Sequence, residues 1–339
     1  MDIQQFLDEW QSTDTHILVH TSGSTGKPKP LLAEKCRMEA SARMTCSYLK
    51  LNEGDSALLC MPLDFIAGKM MVVRSLTCGL RLFGVEPSAH PLAVGNDYKS
   101  LVPRKDMAVP AQFDFIAMTP MQVYATIERD DECDRLRRCR HLLIGGGSVS
   151  EQIEKKLKDF PNHVWSSYGM TETLSHIALR RVNGNEASDW YQPLGNVIVG
   201  TTADGCLWIE APHIVDGRIE TNDIVEMHAD GCRFRVIGRK DNVICSGGIK
   251  IQAEEVERLL AESISVPHIV TKRSDEKYGE TAVLLYEKGH QTKAEIEAIC
   301  RKILPRYWQP KAFIETESIP LTPTGKPNRA AAYSMVNTR

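Results

Sequence analysis

The chain has 339 residues, is 42% hydrophobic and 25% charged, and carries a formal net charge of −3 at pH 7. That length suffices for two domains with a sizeable core, and the near-balanced charge gives no electrostatic case for a nucleic-acid partner. No apolar run approaches the roughly 18 residues that a membrane span needs. The polar start Met1-Asp2-Ile3-Gln4-Gln5 does not read as a signal peptide, and the ten cysteines form no Cys-x-x-Cys pair that would suggest zinc or a disulfide scaffold. The expectation is a cytoplasmic protein with free thiols.

Residues 1–15 read as a short amphipathic helix around Phe6, Leu7 and Trp10, and Ile17-Leu18-Val19 as a strand. The stretch His20-Thr21-Ser22-Gly23-Ser24-Thr25-Gly26-Lys27-Pro28-Lys29-Pro30 follows directly. Its glycines let the backbone turn its N–H groups toward one point, its hydroxyls add donors and its lysines add positive charge. Such a loop suits phosphate oxygens. It is not a Walker loop, because Thr21 stands where that motif needs a glycine and Pro28 follows Lys27. The alternative for these residues alone is a polar surface hairpin.

A helical pattern covers 34–49, a buried strand 57–61, and a helix opens at Pro62-Leu63-Asp64-Phe65 and runs through Leu76. Residues 81–85 read as a strand, 86–110 as loop with four prolines, 115–118 as a strand and 121–127 as a helix. The strand 141–144 stops at Gly145-Gly146-Gly147, and Ser150 is placed to cap a helix over 151–159. Alternation at this spacing predicts an α/β fold with a mostly parallel sheet, helices on both faces and ligands at the carboxyl ends of the strands. Val164-Trp165 leads into Ser166-Ser167-Tyr168-Gly169-Met170-Thr171-Glu172-Thr173. From 197 to 236, short alternating strands divided by Asp-Gly turns predict a small antiparallel β subdomain. Beyond Gly238 comes a small α+β unit, with helices at 253–262 and 293–304 and strands near 267–271 and 281–286. The expected organisation is an N-terminal domain over 1–238 and a C-terminal domain over 239–339.

The run Thr21 to Lys29 resembles the signature loop of the adenylate-forming superfamily, which includes acyl- and aryl-CoA ligases, luciferases and peptide-synthetase adenylation domains. The resemblance implies that Thr21, Ser22, Gly23, Ser24, Thr25, Gly26 and Lys27 handle the phosphates of ATP. Tyr168 to Glu172 is similar to the superfamily's Tyr-Gly-x-Thr-Glu motif. Tyr168 would then stack on adenine beside Gly169, Thr171 would act at the α-phosphate, and Glu172 would hold Mg²⁺. Gly146 and Gly147 take the place of one wall of the adenine pocket, and Asp223 that of the ribose ligand, with Asn222 replacing the usual glycine.

Gly238 to Ile251 resembles the hinge motif, implying that Arg239 reaches the ribose, Asp241 is the pivot of a mobile C-terminal lid, and Gly247 and Gly248 line the CoA entrance. Pro320 to Arg329 ends the chain as the superfamily's chains end, with Lys326 at the position of the catalytic lysine. Members usually carry a further subdomain ahead of the phosphate loop. Its expected lack here leaves a face that a homodimer could cover.

The segment Thr171 to Leu179 is similar to that of the o-succinylbenzoate–CoA ligases of menaquinone synthesis, with Ser175 kept and His176 in place of glutamine. Phe65 takes a gate position, and Lys69 lies one turn on, where it could hold a second carboxylate. The activity implied is ATP-dependent formation of an acyl-AMP from an aromatic acid, with pyrophosphate release, followed by transfer to CoA. The alternatives are a benzoate-type ligase and a non-catalytic AMP-binding module. The presence of both Glu172 and Lys326 favours an enzyme.

Overall fold

A computed structural model describes residues 2–20, 30–102, 107–322 and 327–337. Two compact units emerge: 1–200 with 209–219 and 228–234, and a second made of 201–208, 220–227 and 235–339.

The first unit opens with α1 (Ile3–Gln11), whose N-terminus is capped by the Asp2 carboxylate accepting from Gln5 N–H and which buries Phe6 and Leu7. Strand β1 (His16–His20) pairs antiparallel with β2 (Pro30–Glu34) in a sheet of its own, in register from His16↔Glu34 to His20↔Pro30. This strand is therefore not part of the parallel sheet, and residues 21–29, outside the described residues, connect an antiparallel pair.

Helix α2 (Lys35–Leu49) and β3 (Ser56–Leu59) follow, then α3 (Ile66–Cys78), β4 (Arg81–Gly84), β5 (Lys99–Val102) and β6 (Phe115–Met118). Next come α4 (Pro120–Ile127), α5 (Asp130–Arg138), β7 (His141–Ile144), α6 (Glu151–Leu157), β8 (His163–Gly169), β9 (His176–Arg181) and β10 (Gln192–Pro193). The main sheet has the order β10-β9-β8-β7-β6-β3-β4-β5. Its interior pairs, from β8 to β4, are parallel, and β5, β9 and β10 close the edges antiparallel.

Strand β5 lies in the proline-rich stretch expected to be loop. Its edge position explains why the sequence hid it: only one side of it enters the ladder, so no buried apolar run is needed. Helix α5 likewise has little apolar signal. It is held by Asp130, Asp131 and Glu132 in its first turn and Arg135, Arg137 and Arg138 in its last, which suits the helix dipole.

The order places the topological switch between β3 and β6, since the chain leaves β3 toward β4 and leaves β6 toward β7. Gln122 closes that point. It completes the capping box of α4 with Thr119, and its amide donates to the carbonyls of Cys60 and Ser88 at 2.9 and 3.0 Å. Helix α3 is buried from Gly68 through Ser75, packed on α2, β3 and β4.

Four further strands, β11 (Ile198–Thr201), β12 (Cys206–Glu210), β13 (Arg218–Met227) and β14 (Phe234–Arg239), form a sheet in that order. The remaining elements of the second unit are β15 (Val243–Ser246), β16 (Ile249–Gln252), α7 (Ala253–Leu260), β17 (His268–Asp275), β18 (Gly279–Glu287), α8 (Lys293–Ile303), β19 (Ala312–Thr316) and α9 (Arg329–Asn337). Their sheet runs β16-β15-β18-β17, with β19 parallel to β18, and its core holds Ile244, Ile251, Val256, Leu260, Leu284 and Ile296. Arg329 fixes the start of α9 by bonding Glu257 at 2.7 Å and the Val270 carbonyl at 2.9 Å.

Candidate active site

Strand β8 ends in the first unit at Tyr168-Gly169, and the chain turns back at once into β9. The turn is tight because Gly169 has no side chain. A Cβ there would lie 2.5 Å from His176 Cα and closer still to the Ser175 carbonyl oxygen. The close approach expected of this glycine is thus to its own chain.

Thr171–Thr173 form one 3₁₀ turn. The buried Thr173 hydroxyl holds it together, accepting from Met170 N–H at 3.0 Å and lying 2.8 Å from the Ser175 carbonyl. Leu174 leaves the turn at φ 62°, a left-handed conformation that is costly for a leucine and marks this loop as over-determined by its surroundings. Thr171 is buried, whereas Glu172 is exposed, with no hydrogen-bond or ion-pair partner among the described residues. Tyr168 stands edge-on to Phe234 at 5.1 Å, and Tyr191 stacks on Phe234 at 5.6 Å, so the expected adenine platform is braced from behind. Gly146 adopts φ 81°, and Gly145 passes so close to Ser167 that a Cβ would meet its hydroxyl at 2.7 Å, which ties the triple glycine to β8. Gly147 is half-buried in the same loop.

Arg74 is the residue that sequence reading missed. It sits on α3, 2% exposed, and donates from Nη2 to Ser175 Oγ at 2.6 Å. Nη1 lies 3.9 Å from the Met71 sulfur, and among the described residues Nε has no hydrogen-bond partner and no carboxylate pairs with the guanidinium. Burial pulls its pKa from 12.5 to about 10.

Ser175 Oγ also lies 3.3 Å from His176 Nδ1, and His176 Nε2 lies 3.0 Å from Thr45 Oγ1, which donates to the Ser41 carbonyl at 3.2 Å. Thr45 has spent its proton, so it must accept from His176 Nε2–H. Nδ1 is then bare and accepts from Ser175, whose lone pairs face Arg74. The wire runs in one direction and requires a neutral imidazole. Burial and then the Arg74 charge hold His176 well below the usual histidine range.

Lys69 was expected to face the acid. It is also 2% exposed, but its ammonium lies 5.2 Å from the Phe6 ring centre beneath α1, and burial lowers its pKa against the pull of Glu9 and Asp64. Arg74 is five residues on, about 140° around the helix. Structure therefore brings Arg74, not Lys69, to Ser175. Phe65 occupies the N-cap position of α3 and is half-buried.

Within the second unit, Arg239 donates to Asp223 Oδ1 at 3.1 Å and to Asp241 Oδ2 at 3.0 Å, and Asn222 reaches both oxygens of Asp241 at 3.3 and 3.4 Å. Asp223 and Arg239 are thus brought together, with Asp241 tied into the same network on the turn before β15. The Asn222 amide explains what replaces the usual glycine: it grips the expected pivot. Gly247 and Gly248 have φ 57° and 83° between the paired ends Ser246↔Ile249. They make a two-residue hairpin turn that needs glycine whatever it binds. Leu321 bridges antiparallel to Pro327. Lys326 itself, and Thr21, Ser22, Gly23, Ser24, Thr25, Gly26 and Lys27, lie outside the described residues.

The buried histidines give a pH prediction. His141 is pushed down to about 4, by burial first and then by His163, and His176 is lowered too. Unfolded histidines titrate near 6.5, so between that pH and about 4 the unfolded chain binds more protons than the native one, and stability falls as pH falls. His141 alone contributes about 3 kcal/mol across that window. His176→Gln can present an amide N–H to Thr45 and an oxygen to Ser175. It should fold as well as the parent at pH 7 and lose less stability by pH 5, as read by urea denaturation. An unchanged pH dependence would remove His176 from the titrating set.

Comparisons with known proteins point one way. A solved acyl-CoA synthetase (AMP-forming)/AMP-acid ligase II-like protein from Dyadobacter fermentans is 34% identical, covering 98% of this chain and 93% of that one, with a TM-score of 0.63. The O-succinylbenzoate coenzyme A synthetase of Bacillus subtilis, solved with ATP and magnesium ion, shares the fold at 21% identity and a TM-score of 0.76, over 92% of this chain and 68% of that one. The 2-succinylbenzoate–CoA ligases of Haemophilus influenzae and Listeria monocytogenes are each 26% identical, over 86% and 96% of this chain. The chain spans 65% and 71% of their respective lengths. With a family profile matching residues 4–204, more than half of its length, the chain belongs to the AMP-binding enzymes.

Proposed function

We propose that this protein is an ATP-dependent acid–CoA ligase acting on an aromatic acid that bears a second carboxylate, o-succinylbenzoate being the reading that the curated relatives support. One observation carries the substrate class: Arg74, a buried guanidinium without a carboxylate partner among the described residues, aimed at Ser175 beside the Tyr168–Glu172 turn. A buried cation without a counter-charge is costly unless something anionic completes it. A substrate carboxylate is that anion, and it takes the place proposed from sequence for Lys69.

In this reading Tyr168 and Gly146-Gly147 hold adenine, and residues 21–27 hold the outer phosphates. Asp223 and Arg239 hold the ribose. The reacting carboxylate of the acid attacks the α-phosphate of ATP. Thr171 and Lys326 stabilise the charge that develops there, and pyrophosphate leaves. The CoA thiol then displaces AMP at the acyl carbon, with Gly247-Gly248 at its entrance and Asp241 as the pivot between the two steps. Glu172 fits Mg²⁺: it is an exposed hard oxygen donor with no protein partner among the described residues, and Mg²⁺ takes one or two carboxylates plus substrate phosphates. Bound there, the ion would neutralise phosphate charge.

Glu172→Gln should leave folding intact and raise the Mg²⁺ concentration needed for half-maximal pyrophosphate release by at least about tenfold, the effect of losing a charged ligand oxygen. Unchanged Mg²⁺ dependence would refute the ligand assignment. The function itself is tested by pyrophosphate release over paired aromatic mono- and dicarboxylic acids, with and without CoA. Preference for the monocarboxylic member of each pair would favour a benzoate-type ligase, and no release with any acid would favour a binding module.

A further inference from the structure

Leu174 stands between two parts of the candidate site. Thr171 and Glu172 lie just before it, and Ser175, which meets Arg74, follows at once. Hydrogen bonds fix the chain on both sides of the leucine. Leu174 N–H donates to the Thr171 carbonyl at 2.9 Å, and Ser175 N–H donates to the Thr173 carbonyl at 2.7 Å. The second bond spans only three residues, so Thr173, Leu174 and Ser175 make a γ-turn with Leu174 at its centre. With φ 62° and ψ −30°, Leu174 takes the left-handed form of that turn, which is the rare and strained one. Glycine or asparagine would accept this backbone more readily, yet the residue is a leucine, and it is 3% exposed.

We propose that Leu174 is a positioning residue for the first half-reaction: its buried side chain anchors the γ-turn and so registers the acid held at Arg74 and Ser175 against the α-phosphate held at Thr171. This role, which rests on the ligase reading, concerns alignment and not binding. A strained backbone persists only where surrounding contacts hold it. Here they come from three directions. The Leu174 side chain is buried, the Thr173 hydroxyl lies 3.0 Å from Met170 N and 2.8 Å from the Ser175 carbonyl oxygen, and Gly169 lets its own strand pass against the Ser175 backbone. With the preceding 3₁₀ turn closed by its own bonds, the direction in which the chain leaves toward Ser175 is set at Leu174.

Alignment matters in one step and not in the other. In the first step two separate molecules must meet, with a carboxylate oxygen of the acid in line with the α-phosphorus. A misplacement of about 1 Å between such groups can cost about a hundredfold in rate. In the second step the acid and the nucleotide are already one molecule, the acyl-AMP, and the thiol attacks the acyl carbon. Registering one binding site against the other no longer sets the reacting distance. A residue that only supported the fold would affect both steps alike.

The test separates the steps with Leu174→Gly, which accepts the same φ at no steric cost but removes the anchor. Pyrophosphate release with an aromatic dicarboxylic acid should fall about 10- to 100-fold in kcat, with KM for ATP and for the acid changed by less than about threefold. Single-turnover transfer from supplied acyl-AMP to CoA should stay within about threefold of the parent. Leu174→Met, which restores an apolar anchor, should recover most of the lost kcat. Thr173→Val keeps the leucine and removes the hydroxyl brace. It should show the same split between the steps, and it carries the comparison should Leu174→Gly not fold. Parent-like pyrophosphate release from Leu174→Gly would overturn the proposal. So would equal losses in both steps, the mark of a residue that only supports the fold. Failure of the parent chain to release pyrophosphate with any acid would instead overturn the ligase reading, and this role with it.

Discussion

Arg74→Met will raise the KM for a dicarboxylic acid by about 10- to 150-fold, leave its monocarboxylic analogue little affected, and yield a protein that unfolds at a higher temperature. The kinetic part follows from losing charged hydrogen bonds to a carboxylate, each worth about 1.5–3 kcal/mol, with 1.4 kcal/mol per factor of ten. The stability part follows from burial. Pulling Arg74 from 12.5 down to about 10 corresponds to about 3 kcal/mol of destabilised charge in the free protein. Methionine fills much of the same volume without that cost and sits beside Met71 and Met70, already in the core. Steady-state pyrophosphate release with matched acids, together with a thermal melt, checks both. Equal KM changes for the two acids would take Arg74 out of substrate recognition, and a lower melting temperature would show that its bond to Ser175 outweighs its burial.

Gly169→Ala will cost at least about 3 kcal/mol of stability and most of the activity. The new methyl would sit against the backbone of Ser175 and His176, which cannot rotate away as a flexible side chain could. Strands β8 and β9 would have to separate where their register already shifts, between Tyr168 and Gly169. That displaces both Tyr168 and the 3₁₀ turn bearing Thr171 and Glu172. A midpoint about 6–12 °C lower is expected from the usual scaling for a unit of this size. An unchanged melting temperature would mean that the two strands have slack at this position.

Much of the architecture was legible because the signals were local. The buried strands Phe115–Met118 and His141–Ile144 appear at the expected residues, since central parallel strands must be apolar throughout. Helix α8 ends one residue from expectation, marked by its Thr292–Glu295 capping box. The edge strand β5 and the charged helix α5 were not legible, because neither needs an apolar run. The Tyr168–Glu172 loop could be read from its motif, but Arg74 could not. In sequence Arg74 lies within a helix pattern and looks solvated. Only the packing around α3 shows that it is buried and has no carboxylate partner among the described residues. Lys69 was the more visible cation because it follows the Pro62–Phe65 segment, and its burial against Phe6 depends on α1, more than fifty residues away.

The wire from Arg74 through Ser175 and His176 reaches Thr45, a buried residue of α2 whose hydroxyl donates onward to the Ser41 carbonyl. Yet the Thr45 hydroxyl decides which imidazole nitrogen holds the proton, and so which way the Ser175 hydroxyl points. A valine at position 45 would keep the shape and release that constraint. Serine 175 could then turn its proton toward whatever lies before Arg74, changing an acceptor into a donor. Acid preference in proteins of this type can therefore drift during evolution by changes one layer behind the binding surface. A mutagenesis library aimed at new acids should sample Thr45 alongside the residues that touch them.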